Sequence, residues 1–300
     1  MPVSALFFAC VAVWGTTWIA ITFQIERTAP EVGVALRFTL AAAVVLAWCA
    51  IRRLPLRLPL REHLWLVLLG ALGFCLSYLL IYHSQRFIVS GLVAVGYSAA
   101  PLVNMVLARV FFGTRMSARV AAGGLCGLAG IALIFQPEFA RLAGGAPPAL
   151  GALLTAAAVL ASCLSNMVIA SQQARGVRGW PPLGFAMSYG AAGSWLAVVV
   201  LGVPLEVNWS WSFAGALLYL ALAGSVLAFG AYYALIGRIG AARAAYVGVM
   251  STIVALLVSA LFEGYDWRIA TAAGIALAVT GNVLALSAAG PRRSTEPVRE

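Results

Sequence analysis

Lysine is absent from all 300 residues, histidine occurs twice, and Asp and Glu together number nine. Each scarcity closes off a chemistry. A P-loop needs a lysine at the nucleotide phosphates and a Schiff base needs its amine, so neither ATP-driven pumping nor imine catalysis is encoded. His63 and His83 stand apart without a paired ligand, and Cys10, Cys49, Cys75, Cys126 and Cys163 lack metal-ligand spacing. No metal or other cofactor is expected, and the thiols read as buried packing groups. Charge of either sign is rare: 9% of residues are charged against 63% hydrophobic, with a mean hydropathy of +0.99. That balance excludes an ordinary soluble domain and defines an integral membrane protein.

Long apolar runs fill the chain. A spanning helix needs about 20 apolar residues, and ten such runs are readable at about 4–24, 31–51, 62–83, 88–112, 118–136, 149–170, 182–202, 212–236, 240–262 and 268–288. Alternation at period two, the mark of a membrane barrel, is absent, so the spans are helical. The first run has no basic leader and is expected to be retained as a helix.

All nineteen basic residues are arginines. With the N-terminus cytoplasmic, fourteen fall in inward connections or the tail and four, Arg27, Arg86, Arg141 and Arg268, in outward ones; Arg37 lies inside a span. This bias predicts cytoplasmic N- and C-termini. The net charge of +10 is scattered and never forms one patch interleaved with aromatics, so nucleic acid is not expected as a partner.

Residues 90–135 have a faint echo in residues 241–286. In both, a span ends in a Phe-rich edge, a short polar turn follows, and the next span carries glycines seven apart: Gly123 and Gly130, then Gly274 and Gly281. The offset of 151 is half the chain, giving five spans per half. An odd number inverts the second copy. The expected fold is therefore all-α, ten transmembrane helices in two inverted five-helix repeats, 1–145 and 146–290, with 291–300 a cytoplasmic tail. The seam falls near Gly144, Gly145, Pro147 and Pro148. Inverted repeats are a recurring design of secondary transporters, because two pseudo-symmetric halves can open one central site to either side. Gly123 and Gly127 form a GxxxG, and Ala270, Gly274 and Ala278 share its spacing, suited to packing spans five and ten together or to a weak dimer in place of a monomer.

The order of features resembles the EamA-type members of the drug/metabolite transporter superfamily. Trp14-Gly15 stands in the first span, Pro30 then Arg37 opens the second, and Pro101 lies within the fourth. The turn GTRMS precedes a Gly-rich span, and LAGSVLAFGAYYALIGRIGAARAA fills 222–245. The family's acidic residue after the fourth span is missing, since the turn reads Gly113-Thr114-Arg115; the second half has Glu263 instead. Within the family the chain is most similar to bacterial aromatic amino acid exporters of the YddG type. The resemblance implies a multi-pass transporter of the bacterial inner membrane, with no enzymatic activity, that moves amino acids or related small metabolites outward.

Rise per residue sorts the polar and aromatic residues by depth. Trp18, Arg37, Tyr78, Tyr82 and Tyr97 fall in the outer half; Asn166, Tyr232, Tyr233 and Tyr246 in the inner half. Near mid-depth lie Trp14, Ser98, Pro101, Trp195, Ser251 and Asn104. The expected central cavity comprises Trp14, Trp18, Tyr78, Tyr82, Ser98, Pro101, Trp195 and Ser251, with Arg37, His83, Tyr97, Asn166, Tyr232, Tyr233 and Tyr246 in gating or structural roles. Aromatic walls with an indole or hydroxyl suit an apolar or aromatic solute. Tyrosines near an interface also serve as plain anchors, and Pro101 either frees a carbonyl toward the solute or kinks the helix for packing.

Arg37 has three readings: a tie to the Pro30 turn or nearby carbonyls, attraction of a solute carboxylate, or snorkelling to the outer headgroups. The carboxylates Glu26, Glu31, Glu62, Glu138, Glu206, Glu263, Asp266, Glu296 and Glu300 all lie at span ends, connections or the tail. With no acid at mid-membrane, movement down the solute's own gradient is expected and tight proton coupling is not. A membrane-embedded enzyme would cluster acids, histidines or lysines at one face, and a channel would carry a continuous polar stripe. Neither pattern is present.

Overall fold

A computed structural model describes residues 1–26, 28–114, 118–142, 147–207, 209–264 and 269–287. Arg27, Arg115, Gly144, Gly145, Asp266, Arg268 and the tail with Arg292, Arg293, Glu296, Arg299 and Glu300 lie outside the described residues, as do the side chains of Arg119, Glu138 and Arg141.

The described residues form helices and no strand. We number them α1 (Val3–Ile25), α2 (Pro30–Ile51), α3 (Leu60–Ser84), α4 (Ser90–Phe112), α5 (Ala118–Leu142), α6 (Pro147–Ala174), α7 (Trp180–Val200), α8 (Trp211–Ile239), α9 (Tyr246–Phe262) and α10 (Ile269–Ser287). Seven are long and apolar enough to cross a membrane, and α5, α9 and α10 contribute shorter apolar stretches. Each expected run is therefore a helix; most ends fall close to the expectation, while α5 runs past 136 to Leu142 and α9 begins at Tyr246 and not at 240.

Local chemistry sets the boundaries. Pro30 starts α2, where its missing N–H costs nothing. The Ser210 hydroxyl accepts from Phe213 N and caps α8. At the end of α4, Gly113 sits at φ +66, a left-handed conformation that favours glycine.

Three helices are interrupted. In α4 the break falls at Ser98–Ala99, just before Pro101, which has no N–H to give the carbonyl of Tyr97. A short turn, Ala241–Ala244, precedes α9. Two π-helical segments, Gly70–Leu76 in α3 and Leu220–Leu227 in α8, complete the irregularities.

Helix pairing is regular. α5 packs on α10, α2 on α7 and α4 on α9; α3 meets α6 and α7, while α8 meets α1 and α2, and α1 also packs on α9. The glycines of α5 and α10 make that seam within one chain, with a Cβ on Gly281 overlapping the backbone of Gly123 and Gly127. Outward faces stay apolar, as at Val199, Leu261 and Ile269. Inside, the largest fully buried side chain is Arg37, followed by Tyr82, Phe38 and Phe74.

Candidate functional site

A central hollow of about 90 Å3 is bounded by α1, α2, α3, α4, α6, α8 and the start of α9. Its walls are rings. Trp14 lies 4.9 Å from Tyr232 and 5.1 Å from Phe229, ring centre to ring centre, and Phe229 lies 4.9 Å from Phe74. Trp18 leans on Tyr97 at 5.2 Å. Such tilted and edge-on pairs fix ring positions beyond simple burial.

Both π segments help to make the hollow. In α8 the wider turn leaves the Gly224 carbonyl to accept from Trp14 Nε1 at 3.0 Å, while the Ser225 hydroxyl donates back to Leu220 O at 2.9 Å. Gly224 is needed there: a Cβ would come within 2.8 Å of Thr17 Cγ2 and 3.3 Å of Arg37 Nη2. In α3, Gly73 and Phe74 of the π segment line the opposite wall. π turns gather at functional sites because they re-aim side chains without breaking the helix.

Arg37 is 1% exposed and its guanidinium stays inside the bundle. Nε donates to Ser225 Oγ at 3.0 Å, and Nη1 lies 3.5 Å from the Tyr82 oxygen. The Tyr82 hydroxyl donates onward to Gln24 Oε1 at 2.6 Å. The charge sits 4.6 Å over the Tyr78 ring, a cation–π contact. No carboxylate touches it: the ion pairs among the described residues are His83–Glu31 and Arg175–Glu62. The guanidinium thus neither snorkels to a headgroup nor ties the Pro30 turn.

Of the residues expected to form the cavity, Trp14, Trp18, Tyr78 and Ser251 line it. Tyr82, Ser98, Pro101 and Trp195 do not. Tyr82 stands behind Arg37, Ser98 turns back to Val95 O at 2.6 Å, and Pro101 is spent on the α4 break. Trp195 donates to Thr39 Oγ1 on the outside of the α2–α7 pair. Five of those assigned to gating or structure, Arg37, Tyr97, Asn166, Tyr232 and Tyr233, line the hollow directly. Tyr246 is buried beside it, and His83 lies away from it, bound to Glu31. Asn166 Nδ2 reaches both Asn104 Oδ1 and the Tyr232 oxygen at 3.4 Å. Sequence reasoning missed Phe74, Ser77, Gly224, Ser225 and Phe229. The family-like run 222–245 was the one signal pointing at the last three.

Polar clamps flank the hollow. Glu263 accepts from Ser90 N, the hydroxyls of Ser90 and Ser259, and Thr22 Oγ1, joining α1, α4 and α9. At the other end Arg175 holds Glu62 through Nε and Nη2 at 3.1 and 3.0 Å. A second hollow of about 570 Å3 lies among α1, α6, α7 and α8, beside Met1, Arg178, Trp180 and Arg238. Tyr233 lines both hollows.

A helical membrane bundle that encloses an aromatic hollow, with a deep charge at Arg37 and polar clamps outside it, has the build of a protein that handles small solutes within the bilayer. The comparisons with known proteins agree. The EamA-like transporter family model matches residues 1–136. An uncharacterized inner membrane transporter, YedA of Escherichia coli, is 29% identical over 265 residues, covering 86% of this chain and 81% of YedA. Protein PagO of Salmonella typhimurium is 26% identical over 125 residues, 41% of this chain and 40% of PagO. A transporter of Buchnera aphidicola encoded in the trpA 3' region is 27% identical and is matched over 36% of its length. The chain thus spans well under two thirds of PagO and of the Buchnera protein. A solved crystal structure shares the fold with a TM-score of 0.68, at 23% identity, over 94% of this chain and 96% of its own. These likenesses support a transporter role in a multi-pass inner-membrane protein.

Proposed function

We propose that the chain is a secondary carrier of the EamA type, in the drug/metabolite transporter superfamily, that exports small metabolites by alternating access. Its two inverted halves, 1–145 and 146–290, rock around the aromatic hollow, with both termini in the cytoplasm. The observation that carries this reading is the pair of π segments, beginning at Gly70 and Leu220, half a chain apart and both beside the hollow. The helix pairing supports it too. Exchanging the first five helices for the last five maps α3–α6 onto α8–α1, α3–α7 onto α8–α2 and α4–α6 onto α9–α1, contacts that are all present. Five helices per half invert the second, as in other secondary carriers.

The wall of Trp, Tyr and Phe fits amino acids, aromatic ones included, and a YddG-type specificity. The described carboxylates Glu26, Glu31, Glu62, Glu206 and Glu263 are not among the residues lining the hollow, which favours flux along the solute gradient over tight proton coupling. The test is uptake of labelled amino acids into liposomes holding only this protein. Saturable flux with counterflow is expected; linear, non-saturating flux indicates a channel, and accumulation driven by an imposed pH gradient indicates proton coupling. Orientation is checked by cysteine labelling, with positions near 140 and near 290 expected on opposite sides.

A further inference from the structure

The central hollow sets one buried guanidinium among rings, hydroxyls and the Asn166 amide, with no carboxylate among its described lining residues. Arg37 is buried and lines it, and around that guanidinium there are more N–H donors than acceptors, which are Ser225 and Tyr82. Two further donors in the same wall, the indole N–H of Trp18 and the hydroxyl of Tyr233, are buried without a hydrogen-bond partner. Among the described residues no Asp or Glu lines the hollow, so no carboxylate there balances the charge. A buried cation is stable when an anion or strong acceptors compensate it, and removing one partner of such a pair is costly. Here neutral oxygens do part of that work. Arg37 itself forms part of the wall of the hollow.

We propose that Arg37 is the anchor for a solute carboxylate, and that the substrate class is aromatic or apolar monocarboxylates, in which an α-amino group is tolerated but not required. This rests on the carrier reading above and names the chemistry of its site. A guanidinium fork matches a carboxylate with two parallel N–H···O bonds. The Phe74, Phe229, Trp14 and Trp18 rings then take the apolar end. A substrate ammonium would meet ring faces and neutral oxygens, such as those of Ser77, Ser165 and Asn166, but no carboxylate among the described lining residues. The charge on the acid therefore governs binding.

Quenching of tryptophan fluorescence in the detergent-purified protein, titrated with 3-phenylpropionate, phenylalanine, phenylalanine methyl ester and phenethylamine, tests the assignment. The two acids are expected to bind at least tenfold more tightly than the ester and the amine, with 3-phenylpropionate no weaker than phenylalanine. Arg37→Gln is expected to bring acid and ester to within about twofold of each other. Arg37→Lys, which keeps a cation without the fork, is expected to retain the preference at about tenfold lower affinity. Equal binding of acid and ester by the wild type overturns the proposal, as does an Arg37→Gln protein, monodisperse on gel filtration, that keeps the acid preference. Should Arg37→Gln not fold, wild-type acid affinity in Arg37→Lys overturns it. Liposome flux separates the two readings: acid and ester carried alike overturns the anchor and leaves the carrier, whereas no flux and no binding of any probe overturns both.

Discussion

Gly130 of α5 and Gly274 of α10 meet backbone to backbone: a Cβ on Gly130 would fall 2.5 Å from the Gly274 carbonyl oxygen, and one on Gly274 would fall 2.7 Å from the Gly130 oxygen. Neither position has room for a methyl group: Gly130 faces main chain, and Gly274 faces main chain and the Ile134 side chain at 2.5 Å. Gly130→Ala and Gly274→Ala are each expected to force the helices apart and cost about 1–3 kcal/mol, read as a lower melting temperature in detergent. Gly127→Ala, whose Cβ would stay 3.9 Å from Ala278 O, is expected to be mild. Equal losses at all three sites would contradict this seam.

The Glu263 carboxylate gathers α1, α4 and α9 through hydroxyl and backbone donors. Glu263→Ala removes every acceptor at once and leaves the Ser90 donors to find water, at a cost of about 2 kcal/mol. Glu263→Gln keeps one oxygen and is expected to fall between. Cysteine reactivity at introduced positions near residue 90 measures the loosening. Unchanged reactivity in Glu263→Ala would rule out a clamp.

Arg175 and Glu62 pair through two N–H groups, with the Arg175 charge 5.2 Å from the Trp65 ring. A double-mutant cycle of Glu62→Gln with Arg175→Gln is expected to give a coupling of about 0.5–1 kcal/mol, the range of well-placed, partly exposed pairs. Added salt is expected to shrink it. A coupling of zero at low salt would leave the pair with no energetic role.

Tyr233 stands between the central hollow and the larger one beside Arg178 and Arg238. Tyr233→Ala is expected to join the two and weaken closure on that side, raising passive flux in liposomes while reducing counterflow. Tyr233→Phe keeps the ring and is expected to transport nearly as the wild type does. If the alanine variant transports like the wild type, the ring is not a barrier.

The ten helices were legible because apolar length is a one-dimensional property that the bilayer enforces. The site was only half legible. Counting rise gives depth but not the direction around a helix, so Trp195, at the expected height, faces Thr39 outside the hollow. Asn104 and Asn166 were assigned different depths, yet they hydrogen-bond, with the interrupted α4 on one side and the long α6 on the other. Arg37 was noticed as the deep charge, but its acceptor Ser225 lies 188 residues away and depends on a π turn. No hydropathy pattern marks such a turn, since an extra residue in a helical ring changes backbone pairing and not composition.

The π segments of α3 and α8 also bear on how the bundle moves. Each holds a surplus residue relative to α-helical winding. Sliding that surplus along its helix turns every side chain it passes by about 100°, with no hydrogen-bond ladder broken for long and no end of the helix displaced. Tyr78 and Phe229 each lie two positions beyond their segment. A small migration of the surplus would swing those rings like shutters, redrawing the wall of the hollow by local rewinding in addition to any movement of whole helices.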